Sequence, residues 1–359
     1  MRALILWSDP RSTNLGVRVL AAGTGALVRA ALGCDTELAY QGYGPGDAPV
    51  RIGDPRRLVR RLLHLSDELI DWLRGFDLVV DTRAGDSFSD IYGLPRHLNM
   101  SLVHEAVLRA KIPIVLGPQT VGPFGTRRGR ALALRTVRSA RLVMARDSES
   151  FAVARKLGAG RAVLTTDVVF ALDRPRSALV QRDILLNVSG LLWDRNAHVD
   201  HVRYQQTVRQ LVSELSSRGR TVSLLAHVLD SPLPDNDVPV GRLLAEELGV
   251  ELVVPDDLDD VRSIVGGSRL VIGSRMHACL NALSVGTPAL PLAYSRKFRP
   301  LLDALGWPHT VDLKTADQPV AQLLDAIEVE DLAAQAAVSR SRAQAEIADA
   351  ADLLAHVVR

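Results

Sequence analysis

The sequence predicts an α/β protein built from two Rossmann-like, doubly wound domains that face each other across a cleft. The chain has 359 residues, which is too long for one ordinary doubly wound unit and enough for two of about 150–180 residues each. Hydrophobic residues make up 47% and charged residues 23%, as in ordinary globular proteins. Short Leu-rich or β-branched runs alternate with longer amphipathic stretches, which is typical of βαβ units with parallel sheets.

The first predicted domain covers residues 1–178 and carries six strands separated by helices. The predicted strands are Ala3–Trp7, Glu37–Tyr40, Leu78–Asp81, Ile112–Leu116, Arg141–Ala145 and Ala162–Leu164. Helical patterns lie near residues 16–32, 54–74, 97–110, 127–139 and 148–157. This alternation favours a parallel sheet covered by helices.

The second predicted domain covers residues 179–359 and repeats the alternation. A polar break with a proline around Leu172–Arg182 marks the predicted boundary. The predicted strands are Ile184–Val188, Val222–Ala226, Leu252–Val254, Leu270–Ile272 and Ala289–Leu292. The Ala-rich stretch Glu330–Arg359 has helical spacing, and we expect this final helix to pack back on the first domain.

The charge balance of the chain argues against one class of binding partner. The 43 basic residues are nearly balanced by 41 acidic ones, giving a formal charge of +2, which argues against a protein that binds nucleic acid by neutralising phosphates. Only four of the basic residues are lysines, namely Lys111, Lys156, Lys297 and Lys314. Because arginine is favoured throughout the chain, a single arginine carries little weight as a functional signal.

Cysteine usage and the N-terminus indicate the compartment. Cys34 and Cys279 lie far apart in apolar helical contexts, so we expect a reducing environment and no disulfide framework. No Cys/His spacing suggests a metal site. Met1-Arg2 leads directly into a short apolar strand, unlike a signal peptide. We therefore expect a cytoplasmic protein without a metal.

The strongest local signal is the segment Gly273-Ser-Arg-Met-His277, where a strand ends and a helix over residues 274–285 is predicted to begin. Ser274 is expected to cap this helix. Free backbone N–H groups and the helix dipole favour an anion there, and Arg275 adds a forked guanidinium. His277 in the first turn is a candidate proton carrier. The alternative is structural, with Ser274 capping, Arg275 pairing with an acid and His277 bonding a loop.

Further candidates follow other strands of the first domain. Gln119 and Thr120 belong to a loop with two Gly-Pro turns, at the edge of the sheet where open α/β sheets bind ligands; a stiff connector is the equal alternative. Arg146 ends a strand and points either into the cleft or at a carboxylate of its own domain. The remaining candidates for hydroxyl or phosphate contacts are Asn14, Gly16, Asp86 and Ser87.

The arginine-rich stretch from Thr126 to Arg141 is compatible with peripheral contact to anionic lipid headgroups. The simpler interpretation is a solvated helix face, because charge runs are usually surface.

Taken in chain order, these segments resemble the polysaccharide pyruvyl transferase family. The resemblance spans nearly the whole chain, and its most specific motif is Ser274-Arg-Met-His277. The other matching segments are Asn14-Leu-Gly16, Gly85-Asp-Ser-Phe88, Gly117-Pro-Gln-Thr-Val-Gly-Pro123, Arg146-Asp-Ser-Glu149, Asp167-Val-Val-Phe170 and Ala293-Tyr-Ser295. Two segments depart from the family pattern, since Asn14-Leu-Gly16 is followed by Val17-Arg18, and Arg83-Ala-Gly-Asp-Ser replaces a more glycine-rich stretch.

The resemblance implies a fold similar to the B type of glycosyltransferases and a cell-envelope function. It implies transfer of a pyruvyl group from phosphoenolpyruvate, as co-substrate, onto a sugar or lipid-linked saccharide as a ketal, with no other cofactor. His277 would carry protons, while Arg275 and Arg146 would hold the donor from opposite sides of the cleft, aided by Ser274 and Met276. Asn14, Gly16, Asp86, Ser87, Gln119 and Thr120 would face the acceptor. The location would be cytoplasmic, at the inner face of the membrane for a lipid-linked acceptor, and a homo-oligomer stays open.

Two other functions stay open at this point. A nucleotide-sugar glycosyltransferase could share the architecture, but the segment Pro288–Lys297 lacks the acid expected for ribose contacts. A non-catalytic binding protein could have kept the fold. Retention of Arg146, Arg275 and His277 together argues against that alternative.

Overall fold

A computed structural model describes residues 1–44, 46–49, 52–53, 67–175 and 180–358. The helix predicted near residues 54–74 is described only as Asp67–Arg74, and residues 54–66 lie outside the described residues. The predicted domain boundary at residues 178–179 lies outside them as well.

The chain forms two compact units, each built around one six-stranded parallel sheet. The first unit comprises Met1–Pro10, Val17–Leu172 and the chain from Ala343 onward, and the second comprises Arg11–Gly16 and Asp173–Arg342. Helices alternate with strands along both. The predicted α/β class with two doubly wound sheets is therefore confirmed.

The first sheet has the strand order β2-β1-β3-β4-β5-β6. Its strands are β1 (Arg2–Leu6), β2 (Glu37–Gln41), β3 (Leu78–Asp81), β4 (Ile114–Gln119), β5 (Val143–Ala145) and β6 (Ala162–Leu164). Strands β3, β4 and β5 are buried at every residue, which explains their continuous apolar runs. The unit's helices are Leu15–Leu32, Asp67–Arg74, Leu94–Ala110, Arg127–Ser139 and Ser148–Lys156, with 3-10 turns at Arg83–Gly85 and Val168–Ala171.

Strand β4 extends further than predicted, through Gly117 and Pro118 to Gln119. Pro118 has no N–H to donate, and the register between β4 and β5 shifts between Leu116 and Gln119. A shifted register is where a sheet interior tolerates proline. Gln119 thereby becomes the last residue of a buried strand.

The second sheet has the order β12-β11-β10-β7-β8-β9. Its strands are β7 (Arg182–Asn187), β8 (Val222–Leu225), β9 (Glu251–Val253), β10 (Ser268–Gly273), β11 (Ala289–Ala293) and β12 (Val311–Asp312). Strand β12 was not predicted, because two residues are too short to give a period. The helices are Gly190–Trp193, His201–Ser217, Val238–Leu248, Leu258–Gly266, Met276–Val285, Phe298–Ala304, Pro319–Ile327 and Leu332–Val358.

Among the described residues, the two longest helices are Leu15–Leu32 and Leu332–Val358. The last helix, Leu332–Val358, continues into the first unit, where Arg141 Nη1 donates to the Val357 carbonyl over 3.3 Å. Within the described part of the chain, Leu15–Leu32 is the one helix long and apolar enough to span a membrane by length and composition, and 56% of it is buried inside the protein. Core helices meet the same criterion.

Candidate functional site

The segment after β10 begins its helix later than predicted. The helix runs Met276–Val285, its N-cap is Arg275, and no side chain caps it. The expectation that Ser274 caps the helix is wrong, because the Ser274 hydroxyl is bonded to the Tyr204 hydroxyl over 2.8 Å instead. Tyr204 also accepts a hydrogen bond from the Ser189 N–H over 3.0 Å. Burial raises the pKa of Tyr204, so this hydroxyl stays protonated.

Arg275 is buried and is held by Asp237 and Asp235. Its Nε and Nη2 donate to Asp237 Oδ1 over 3.2 and 2.7 Å, and Nη2 also donates to the Asp235 carbonyl. Its Nη1 lies 3.9 Å from Asp235 Oδ2. Burial acts to lower the pKa of Arg275, but the Asp237 carboxylate beside it raises that pKa overall. Arg275 is therefore a permanent cation held by its own unit.

Asp237 organises the backbone around Arg275. Besides the guanidinium, its carboxylate accepts from the Gly190, His227 and Val228 N–H groups over 2.9, 3.1 and 2.9 Å. Its side chain is 1% exposed. A buried carboxylate needs such dense pairing to remain ionised. Asp237 thus joins the loops that follow β7 and β8 to the segment after β10.

Asn187, the last residue of β7, sets the position of the same segment. Its Oδ1 accepts from the Arg275 N–H over 2.9 Å, and its carbonyl accepts from the Ser274 N–H over 3.1 Å. Its Nδ2 donates to the Leu225 carbonyl over 2.9 Å. The start of the helix is therefore held by a side chain of the neighbouring strand.

His277, which is half-buried, lies against the Asn14–Gly16 turn. A Cβ atom added at Gly16 would be 2.8 Å from His277 Nδ1 and 3.1 Å from Asn14 Oδ1. Asn14 Oδ1 accepts from the Gly16 N–H over 2.9 Å. Only glycine therefore lets the turn approach the imidazole this closely. The structure thus brings together three residues predicted from distant motifs.

A second histidine, His227, lies beside this group and is 1% exposed. Burial lowers its pKa well below the usual value, and the nearby His277 and Arg275 lower it further. Asn281 Nδ2 lies 3.0 Å from His227 Nε2, and Asn281 Oδ1 accepts from Arg262 Nη1 over 3.4 Å. Because the amide oxygen faces Arg262, its NH₂ faces His227, so Nε2 accepts and Nδ1 carries the proton.

In the first unit, Arg146 follows β5 and is 2% exposed. Its Nη1 donates to Asp167 Oδ2 over 3.1 Å and its Nε to Thr120 Oγ1 over 2.9 Å. Its Nη2 is buried, and the described residues offer it no hydrogen-bond partner. Asp147 caps the following helix by accepting from the Ser150 N–H over 2.7 Å.

Gln119 and Thr120 bond Arg146, and Asp86 and Ser87 belong to a loop that is tied to Thr120. The Thr120 N–H donates to the Gly85 carbonyl over 2.9 Å, which ties the loop after β4 to the loop of Asp86 and Ser87. Gln119 accepts from the Arg146 N–H through its carbonyl over 3.2 Å. Asp86 Oδ2 accepts from the Tyr92 hydroxyl over 2.9 Å, and Ser87 is buried. These residues lie at the carboxyl edge of the first sheet.

Sequence reasoning missed five residues of the second unit's group: Asn187, Tyr204, His227, Asp237 and Asn281. The available signals were weak. Asn187 ends a predicted strand, and Asp237 precedes a helix that begins Val238-Pro239, yet both features are common. Their importance comes from pairing between distant segments. Among the described residues no group of three or more His, Cys, Asp or Glu side chains is arranged to hold a metal ion.

Comparison with known sequences identifies related proteins. The sequence model of a family described as polysaccharide pyruvyl transferase matches residues 35–296, a range that includes Arg146, Arg275 and His277. The amylovoran biosynthesis protein AmsJ of Erwinia amylovora is 26% identical, over 67% of this chain and 62% of that protein. The chain therefore spans less than two thirds of this relative's length.

Comparison with solved structures supports the fold. A putative UDP-N-acetylglucosamine 2-epimerase from Listeria monocytogenes superposes with a TM-score of 0.62 at 12% identity, over 97% of this chain and 94% of the other. The S. aureus MnaA–UDP co-structure gives 0.59 at 16% identity, over 94% and 91%. Anabaena Alr3699/HepE in complex with UDP-glucose gives 0.54 at 11% identity, over 99% and 98%. At these identities the similarity shows the fold alone.

Proposed function

The chain belongs to the polysaccharide pyruvyl transferase family, and from this premise we propose that it transfers a pyruvyl group from phosphoenolpyruvate to a sugar, forming a ketal. The observation that carries the proposal is the family match over residues 35–296, because it includes the His277 motif. The relative AmsJ, named for amylovoran biosynthesis, supports a polysaccharide precursor as the acceptor.

The proposed reaction balances with two sugar hydroxyls as nucleophiles. Each hydroxyl oxygen forms a bond to C2 of phosphoenolpyruvate, while the bond from C2 to the phosphate oxygen breaks. One hydroxyl proton is added to C3, which becomes a methyl group, and the other leaves on inorganic phosphate. The protein must therefore accept a proton from a hydroxyl and stabilise a departing phosphate.

His277 fits the role of proton carrier. It is half-buried, follows a sheet at its carboxyl edge, and lies against the Gly16 turn. The fully buried His227 stands beside it as a neutral ring whose protonated nitrogen is fixed by Asn281. A rigid neighbourhood of this kind holds a catalytic imidazole in one orientation. His277 is the residue on which we expect activity to depend.

The two arginines offer different support for donor binding. Arg146 has a buried guanidinium nitrogen uncommitted to any described residue, which suits an anionic oxygen of the donor. Arg275 is engaged by Asp237 and Asp235, so its contribution is a fixed positive charge beside Ser274 and Met276. Direct contacts of these residues, and of the candidate acceptor residues Asn14, Asp86, Ser87, Gln119 and Thr120, are predictions.

We also propose that the reaction takes place in the cytoplasm, at the inner face of the membrane when the acceptor is lipid-linked. Three arginines of one helix, Arg127, Arg128 and Arg130, are exposed and could contact anionic headgroups. Arg135 of the same helix is paired with Glu105 over 2.8 Å. Binding of the purified protein to vesicles with and without anionic lipid would test this contact.

An assay of phosphate release tests the proposed function. The protein is incubated with phosphoenolpyruvate and β-linked galactosyl, glucosyl or mannosyl acceptors, and released phosphate and ketal product are measured. We expect acceptor-dependent release that falls at least about 1,000-fold in His277→Ala. The exposed His356→Ala is the matched control and should retain full activity.

Two results would contradict the proposal. Turnover with a nucleotide-sugar but not with phosphoenolpyruvate would indicate a glycosyltransferase. Full activity in His277→Ala would remove this residue from the reaction. Gly16→Ala provides a finer probe, because its methyl group would meet His277 Nδ1, whereas Gly160→Ala adds a methyl group with no atom within 4 Å.

A further inference from the structure

A cavity of about 320 Å³ lies in the second unit, away from the Asp237–Arg275 pair. Its walls come from the loop and helix after β7 and from the segment after β12. The lining includes Asn196, His198, Asp200, Arg203, Tyr204 and Lys314. Nothing in the site described above uses this volume.

The walls are held rigid by side-chain hydrogen bonds. Asn196 Oδ1 accepts from the His198 and Val199 N–H groups over 2.7 and 3.0 Å. Arg203 Nη2 donates to the carbonyls of Ala316 and Asp317 over 2.6 and 2.8 Å. The loops on both sides of the cavity are therefore preorganised, which lowers the entropy cost of binding a ligand.

Two lysines follow neighbouring strands at this edge of the second sheet: Lys314 lines the cavity, and Lys297 lies near enough to His198 to lower the pKa of that ring. Strands β11 and β12 are parallel neighbours, and Lys297 and Lys314 follow them by four and two residues. Only four of the chain's 43 basic residues are lysines, and two of them lie here. Within the described part of the chain, no acid pairs with the Lys314 ammonium, so its charge is available to a ligand.

The other charged lining groups, Asp200 and Arg203, carry opposite charges and are hydrogen-bonded to the backbone. The one lining carboxylate, Asp200, caps the helix His201–Ser217 by accepting from the Val202 and Arg203 N–H groups. Arg203 is committed to two carbonyls. Burial lowers the pKa of His198, and the charges of Lys314 and Lys297 lower it further, so its ring is neutral at pH 7.

One wall of the cavity is hydrogen-bonded to the segment that carries Arg275. The His198 ring packs against the Tyr294 ring at 5.4 Å between centroids, and Tyr294 directly follows β11. The Tyr204 ring lines the cavity while its hydroxyl bonds Ser274. A ligand here would therefore contact the tyrosine whose hydroxyl bonds the segment that carries Arg275.

We propose that this cavity binds a phosphoryl group of one of the reaction's substrates, with Lys314 and Lys297 as its cationic contacts. Compact ammonium groups on flexible stems suit phosphate, and Asn196 and the neutral His198 ring in the lining offer further hydrogen-bonding groups. The identity of the substrate rests on the proposed function. The phosphoryl group is either that of phosphoenolpyruvate or a phosphate that links the acceptor to its carrier.

Calorimetric titration of the full chain with two probes tests the assignment and distinguishes these sources. The probes are phosphoenolpyruvate and inorganic pyrophosphate. We expect Lys314→Gln and Lys297→Gln each to weaken binding of one probe by about tenfold, and Lys314→Arg to weaken it less. Weaker phosphoenolpyruvate binding indicates the donor's phosphate, and weaker pyrophosphate binding alone indicates the acceptor's.

The other two lysines provide matched controls. Lys111→Gln and Lys156→Gln remove the same charge elsewhere and should leave both affinities unchanged. Unaltered affinity for both probes in the Lys297→Gln/Lys314→Gln double variant, or an equal loss in the control variants, would overturn the assignment. Thermal melting of every variant verifies that it is folded.

The two proposals can fail separately. If the wild-type protein transfers pyruvate and the double variant does so with unchanged KM values, the cavity assignment is wrong and the proposed function stands. If lysine-dependent binding is found but no pyruvyl transfer, the cavity assignment stands and the proposed function is wrong.

Discussion

Arg146 and Arg275 both follow the carboxyl end of a parallel strand, one in each unit, yet the protein uses them differently. Each follows a buried parallel strand at its carboxyl end, β5 or β10, and each is paired with an aspartate, Asp167 or Asp237. Arg275 donates hydrogen bonds through Nε and Nη2, and its Nη1 lies within ion-pair distance of Asp235, at 3.9 Å. Arg146 retains a buried Nη2 without a partner among the described residues.

An arginine that follows a strand can therefore have either of two functions, a structural one or ligand binding. An arginine whose donors are mostly bonded to the protein adds charge and holds loops together. Those donors must break existing hydrogen bonds before they can bind a ligand. An arginine with a buried, uncommitted donor gains a hydrogen bond when an anion arrives. We therefore expect Arg275 to shape the segment of His277 and Arg146 to contact the donor directly.

The largest expected effect comes from removing the aspartates. Asp237→Ala should destabilise the second unit by about 3–5 kcal/mol, because it removes the main charged partner of the buried Arg275 and the acceptor of three backbone N–H groups. Asp167→Ala should cost less, because Arg146 keeps its bond to Thr120. Hydrogen exchange of the helices Met276–Val285 and Ser148–Lys156 measures the two local stabilities.

A conservative variant serves as the control for this prediction. Asp237→Glu keeps the carboxylate charge and should recover part of the stability. Alanine at position 237 or 167 removes that charge. Equal destabilisation by Asp237→Ala and Asp167→Ala would remove the proposed contrast between the two regions.

Substitution of the two arginines by lysine should give the next largest effect. Arg146→Lys should raise the KM for phosphoenolpyruvate about 30-fold, ~2 kcal/mol of lost binding, because the uncommitted Nη2 donor is lost. The stability of the Arg146→Lys variant should change little. Arg275→Lys should instead lower stability and kcat together, because the contacts to Asp237 and Asp235 that shape the His277 segment are lost.

Steady-state kinetics with thermal melting separates these outcomes. An unchanged KM in Arg146→Lys, combined with a loss of stability as large as in Arg275→Lys, would make Arg146 a structural ion pair like its counterpart.

The fold could be predicted from the sequence because it depends on local periodicity. The alternation of apolar strands and amphipathic helices placed eleven of the twelve strands within a few residues. The exception was β12, Val311–Asp312, which is too short to show a period. The end of β4 was also missed, because Gly117-Pro118 usually ends a strand, whereas here a register shift accommodates it.

The candidate site was less predictable because it depends on pairing across the chain. The motif at Arg275 and His277 was visible, and so was the turn at Asn14. Nothing local indicated that Asp237, 38 residues before Arg275, would occupy its guanidinium. The same limitation applies to Ser274. Its hydroxyl does not cap the helix because it bonds the hydroxyl of Tyr204, 70 residues away.

The pH dependence of stability should sharpen the comparison, because the Arg275 region contains the buried His227. The pKa of His227 is lowered in the folded state, so its contribution is fully present above the unfolded value of about 6.5 and is lost as pH falls toward the lowered value. We expect His227→Gln to remove up to about 1.4 kcal/mol per pH unit of the acid-induced loss below pH 6.5.

Urea unfolding between pH 7 and pH 5, with protection of the Met276–Val285 helix as the readout, checks this expectation. His97 and His104, whose pKa values burial also lowers, contribute in the first unit and remain in the variant. The exposed His356→Gln should leave the slope unchanged. An unaltered slope in His227→Gln would show that this ring does not stay neutral in the folded protein.

The smallest effect is expected from single hydroxyls that support the two arginine regions. Tyr204→Phe removes the hydroxyl between Ser274 and Ser189, and Thr120→Val removes the acceptor of Arg146 Nε. Each should cost about 1 kcal/mol, because each removes a buried hydrogen-bonding group. Tyr204→Phe should mainly lower kcat through the segment that carries His277, and Thr120→Val should mainly raise the KM for the donor through Arg146. The same kinetic parameter changing in both variants would mean that the two regions support one common step.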